Sequence, residues 1–165
     1  MNAPILDRQG IIRAVAEARG AGRSIALANG CFGILHVGHI RYLQAAAQEA
    51  DVLVVGVNSD DSYDALAKKA RPLVPENERA EIVAAIRGVG LVTIFHETTA
   101  EELIRAIRPD VHCKGTDYTV ESVPERALVE SLGGRVAIVG DPKEHSTTEL
   151  VEKMKNSGRR AKDGQ

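Results

Sequence analysis

The chain has 165 residues, 44% of them hydrophobic and 27% charged, which suits one globular domain with a sizeable core. A formal net charge of −2 gives no general pull toward nucleic acid or an anionic membrane, and 3% aromatics are too few for a base-stacking platform. Cys31 and Cys113 make no disulfide framework, no apolar run is long enough to span a bilayer, and the first residues lack the order of a signal peptide, so a soluble cytoplasmic protein is expected.

Apolar strands alternate with amphipathic helices along the sequence. Residues 5–19 read as a helix through Ile11, Ile12, Val15 and Ala16, closed by Gly20 and Gly22. A strand over 24–29 leads through a glycine turn into a helix over 38–49, with Ile40, Leu43, Ala46 and Ala47 on one face. The unbroken apolar run 52–57 reads as a strand covered on both faces. Residues 59–77 read as a loop carrying Lys68, Lys69, Arg71, Pro72 and Pro75, followed by a helix over 78–87 and a strand over 91–95. Thr99 and Glu102 have the spacing of a capping box for a helix over 100–107. A fourth strand over 111–114, a helix over 124–132 between Pro124 and Gly133-Gly134, and a fifth strand over 136–139 come next. A last helix starts near Ser146 and fades after Met154, leaving 156–165 as a flexible polar tail. The pattern predicts one domain over 1–155. Its fold class is α/β, a doubly wound, Rossmann-like five-stranded parallel sheet with helices on both faces and ligands at the carboxyl ends of the strands.

The segment Asn29-Gly30-Cys31-Phe32-Gly33-Ile34-Leu35-His36-Val37-Gly38-His39 carries the most chemistry. Glycines let backbone approach an anion, and the N–H groups and dipole of a helix start favour negative charge. His36 and His39 add imidazole donors where phosphate charge changes. Zinc is a poor alternative, because a structural site needs about four ligands and no second Cys or His pair stands nearby. A dinucleotide fingerprint is absent as well, since no G-x-G-x-x-G occurs.

The other strand ends add polar residues on the same edge: Asn58-Ser59-Asp60, then Lys114-Gly115-Thr116-Asp117-Tyr118, then the run from Gly140 to Thr148. Ser146 and Thr147 cap the last helix, and the same N–H groups suit a phosphate. Asp117 also reads as a turn residue, and one of Lys68 and Lys69 as a solvated loop side chain. Arg79 stands in a first helical turn against the macrodipole, so it answers to something else, which we read as an anionic substrate.

H-x-G-H at 36–39 is the signature of the nucleotidylyltransferases. With Val57-Asn58-Ser59-Asp60, Arg71-Pro72, Glu78-Arg79, Lys114-Gly115-x-Asp117-Tyr118 and Ser146-Thr147-Thr148, the chain resembles the stand-alone bacterial D-glycero-β-D-manno-heptose 1-phosphate adenylyltransferases. The resemblance implies transfer of AMP from ATP to a sugar 1-phosphate, with magnesium carried by the triphosphate and no direct protein ligand to the metal, in an enzyme that is commonly a homodimer. It assigns His36, His39, Lys68 and Arg79 to catalysis. The nucleotide falls to Asn29, Gly30, Cys31, Phe32, Gly33, His36, Gly38, His39, Lys114, Gly115, Asp117, Ser146 and Thr147. The acceptor falls to Asn58, Asp60, Arg71, Arg79 and Tyr118. The family usually has Asp where this chain has Gly33, so magnesium or substrate handling is expected to differ. A cytidylyltransferase acting on glycerol 3-phosphate or another alcohol phosphate, and a non-catalytic nucleotide-binding module, are the alternatives.

Overall fold

Five parallel strands build the molecule: β1 (Ile25–Gly30), β2 (Val52–Asn58), β3 (Leu91–Phe95), β4 (Val111–Lys114) and β5 (Arg135–Ile138), in the order β3-β2-β1-β4-β5. The computed structural model describes residues 1–67 and 72–141. Among the described residues, six α-helices cover the sheet: α1 (Arg8–Gly20), α2 (Val37–Ala46), α3 (Asp60–Ala67), α4 (Glu76–Ala84), α5 (Glu101–Ile107) and α6 (Arg126–Ser131).

The alternation of side chains along each strand sorts two cores. Ala26, Ala28, Leu53, Val55 and Val57 face Leu43 and Ala46 of α2 and Ala80 and Val83 of α4. Ile25, Leu27, Val52 and Val54 face Ile11 and Val15 of α1, Leu103 and Ile104 of α5 and Val129 of α6. Every residue of β2 is buried, as a strand covered on both faces requires. At roughly 1.5–3 kcal/mol per buried large aliphatic side chain, these two layers are the main favourable contribution to the fold. β1 pairs with β2 on one side and β4 on the other, so the chain reverses its winding beside β1 and opens a crevice at the carboxyl edge there.

Several boundaries differ from the sequence reading: α2 ends at Ala46 rather than at 49, and α4 spans Glu76–Ala84 rather than 78–87. Residues 4–6 run parallel beside β3, with Leu6 N–H donating to Val92 O at 2.8 Å and Val92 N–H to Pro4 O at 3.0 Å. α1 therefore starts after Asp7, whose carboxylate accepts from Gly10 N–H at 2.7 Å. Part of the expected loop 59–77 is α3, where Ser59 Oγ accepts from Ser62 N–H at 3.2 Å and Asp60 and Asp61 favour the helix start. The capping box at Thr99 does not form, because α5 begins after Ala100 with no side-chain cap, and Thr98 and Thr99 line a cavity instead. Helix α6 starts after Glu125, two residues later than Pro124 implies, because Glu125 turns inward onto Lys114.

Candidate active site

The turn after β1 is shaped by one strained residue and two glycines. Phe32 has φ of 49°, a region that non-glycine residues rarely enter. Its ring folds back over Gly30, where an added Cβ would stand 3.2 Å from Phe32 Cζ, and lies edge-on to His39 at 5.6 Å between centroids. His36 then caps α2. Its Nδ1 accepts from Gly38 N–H at 3.1 Å, while His39 Nδ1 accepts from His36 N–H at 3.4 Å. A nitrogen that accepts carries no proton, so each neutral ring bears its proton on Nε2. A Cβ at position 38 would stand 2.8 Å from His36 Cε1, which is why the residue between the histidines is glycine.

A cavity of about 670 Å³ lies over this turn at the carboxyl edge of the sheet. The expected residues Asn29, Gly30, Cys31, Phe32, His36, Gly38, His39, Asn58, Lys114, Gly115, Asp117 and Tyr118 all line it. Sequence reading placed Asp141 on this edge but missed its partner Arg41 (3.0 Å), the wall positions of Thr98, Thr99 and Glu125, and His112 beneath. A polar residue inside an apolar strand was the available signal for His112.

The floor is a buried polar cluster. Asn29 Oδ1 lies 3.0 Å from His112 Nε2 and 3.2 Å from Lys114 Nζ, and Lys114 Nζ donates to Glu125 Oε1 at 3.3 Å. Lys114 and Glu125 side chains are each 9% exposed, so the pair is largely desolvated and the lysine charge is answered within the protein. Glu125 Oε2 and His112 Nδ1 have no hydrogen-bond partner among the described residues. Burial, with Lys114 nearby, pushes the His112 pKa down to about 3.

Residues 27–160 match the profile of the family described as cytidylyltransferase-like. The chain belongs to the cytidylyltransferase-like family. It is 43% identical over 150 residues to the bifunctional protein HldE of Trichlorobacter lovleyi, covering 91% of this chain and 30% of that one. The HldE protein of Syntrophotalea carbinolica is 46% identical over 144 residues, with 87% and 29% covered. The chain thus spans less than a third of the length of these curated relatives. A crystal structure of the lipopolysaccharide core biosynthesis protein from Thermoplasma volcanium aligns with TM-score 0.63 at 26% identity, over 74% of this chain and all of that one.

This cytidylyltransferase-like chain departs from the expected site at three described positions. Arg79 is fully buried and donates to Val74 O at 3.0 Å, to Asn58 O at 2.8 Å, to Cys31 O and to Asp60 Oδ1 at 2.7 Å. Four of its five N–H groups are thus committed to protein acceptors, and the guanidinium ties the ends of β1 and β2 together rather than facing a phosphate. Asp60 is held by Arg79 and lies outside the cavity lining. Gly33 is outside the lining too; a Cβ there would meet Tyr63 Oη at 2.8 Å and Cε2 at 2.9 Å. The Tyr63 ring also lies 5.7 Å from the Arg79 guanidinium, so it fills the place of a side chain at 33. Asn58 lines the cavity but its Nδ2 donates to Ser62 Oγ at 2.8 Å. Lys68, Arg71, Ser146 and Thr147 lie outside the described residues.

Arg79→Leu strands three carbonyls and a carboxylate, so it should cost about 3–5 kcal/mol in urea unfolding. A variant that keeps parental stability and only weakens nucleotide binding would restore the phosphate role. Gly33→Asp overpacks the turn and should cost about 1–3 kcal/mol. In a double-mutant cycle with Tyr63→Ala, the combined loss should be smaller than the sum of the single losses, whereas additivity would mean the two residues do not compete for one space.

Proposed function

We propose that this chain transfers AMP from ATP to D-glycero-β-D-manno-heptose 1-phosphate, releasing pyrophosphate and ADP-heptose for surface glycan synthesis. The observation that carries the reading is the capped start of α2, which leaves the Nε2–H groups of two histidines beside helix N–H groups at the carboxyl edge. Relatives named HldE and a structural neighbour titled for lipopolysaccharide core biosynthesis support the sugar class. The segment 114–118 supports ATP over CTP through its resemblance to the heptose enzymes. The same reading takes the enzyme as a cytoplasmic homodimer.

The acceptor phosphate oxygen attacks the α-phosphorus of ATP in line, forming the new P–O bond as the bond to the pyrophosphate oxygen breaks. A phosphate dianion is already nucleophilic, so no general base is required. The protein supplies position and charge stabilisation. His36 and His39 donate from Nε2 to the phosphate oxygens on which negative charge grows. The helix start adds its N–H groups and dipole. Lys68, Ser146 and Thr147 hold the outer phosphates in this reading, while Asp117 and Tyr118 shape the nucleoside and sugar ends.

Two of the carboxylates in the cavity wall are engaged by cations, Glu125 by Lys114 and Asp141 by Arg41, and the histidines offer nitrogen rather than oxygen. That donor set fits a magnesium ion that arrives on the triphosphate and keeps its own waters, without a dedicated protein cage. When bound, magnesium screens the triphosphate charge.

The test is a panel of ATP and CTP against sugar 1-phosphates and glycerol 3-phosphate, followed by pyrophosphate release. ATP with heptose 1-phosphate should give the highest kcat/KM, and His36→Ala or His39→Ala should each lower turnover by about 10²–10³-fold while the protein stays folded. Equal or better use of CTP would overturn the adenylyl assignment. Tight ATP binding with no turnover on any acceptor would make the chain a binding module.

A further inference from the structure

We propose that His112 is a positioning residue that acts through Asn29, locking the Asn29 amide so that its Nδ2–H₂ group is presented to the nucleotide. The proposal rests on the adenylyl-transfer reading for the identity of the ligand, and on the buried cluster for the rest. An ammonium has no acceptor, so the Asn29 atom 3.2 Å from Lys114 Nζ is the amide oxygen. His112 Nε2, 3.0 Å from the same oxygen, must then be the protonated ring nitrogen. Two donors fill both lone pairs of Oδ1. Flipping the amide would set its NH₂ against an ammonium and an N–H, so the orientation is fixed. Asn29 stands at the end of β1 and lines the cavity, and its Nδ2 has no protein acceptor among the described residues. Those donors are therefore available to an acceptor oxygen of the bound nucleotide, beside the Gly30–Phe32 turn.

His112 itself is fully buried and does not line the cavity, so it touches no substrate. Its Nδ1 is left bare and without a partner among the described residues, an arrangement that costs stability and that an apolar residue would avoid. Stability alone gives no reason for imidazole here; the second lone pair of Asn29 does. Burial and Lys114 keep the ring neutral far below the ordinary histidine range, so it serves as a fixed donor rather than a proton carrier.

The experiment combines variants with a ring-nitrogen readout in the full chain. His112→Leu should lower kcat/KM for ATP about tenfold, and His112→Gln, whose amide can donate to the same oxygen, should recover most of that loss. In an Asn29→Ala background, adding His112→Leu should cost nothing further. Additive losses, or Gln behaving like Leu, would overturn the proposal. In the parent protein, ¹⁵N spectra should show His112 as the neutral Nε2–H tautomer between about pH 5 and pH 8. An Nδ1–H tautomer or an imidazolium in that range would overturn it even where a variant fails to fold. A parent protein that neither binds nor turns over ATP would overturn the functional reading instead, and the tautomer would then decide the contact with Asn29 by itself.

Discussion

The reciprocal cap at the start of α2 is the interaction on which the site depends. Two imidazole nitrogens accept the N–H groups of Gly38 and His36, and this fixes both ring tautomers at once. A helix start normally leaves four N–H groups unanswered, and a serine or aspartate cap would satisfy one of them without adding a second donor. Histidine does both: one nitrogen closes the helix and the other carries a proton away from it. Gly38 is part of the same device, since a side chain there would displace the His36 ring.

Two buried guanidinium and ammonium groups hold this device in place from below. Arg79 joins the carbonyls of Cys31 and Asn58, so the turn after β1 cannot drift from the end of β2. Lys114 joins Asn29 to Glu125, binding the end of β1 to β4 and to the turn before α6. The cations in this part of the molecule that sequence reading assigned to ligands thus work first as cross-braces between strand ends. The cavity is polar because its frame is polar, and each brace is worth more as a pair than either charge would be alone in a low-dielectric interior.

Much of the sheet was legible because its strands are continuous or alternating apolar runs. β3 and β4 begin and end where the sequence places them, β2 runs one residue longer, and β1 and β5 are each shifted by one residue. Helix α3 was not legible in that way: only its Ser59 cap and acidic first turn announce it, and its apolar face is short. Arg79 stands in the first turn of α4 against the macrodipole, a position that something else must offset. The answer, two carbonyls from separate strands, depends on sheet order, which no local pattern reveals. Gly33 shows the same limit, since the partner that fills its space is thirty residues away at Tyr63. The motif at 36–39 reads in the sequence as a phosphate site, whereas the reason for its glycine is visible only in the contact with the His36 ring.

The most direct test of this account is a crystal structure of the chain with magnesium and a non-hydrolysable ATP analogue. The account predicts the α- and β-phosphates over the start of α2, with Nε2 of His36 and His39 within hydrogen-bond distance of their oxygens and both Nδ1 atoms still on the backbone. A triphosphate seated elsewhere in the cavity, or histidine rings turned so that Nδ1 meets the phosphates and the helix cap is lost, would contradict it.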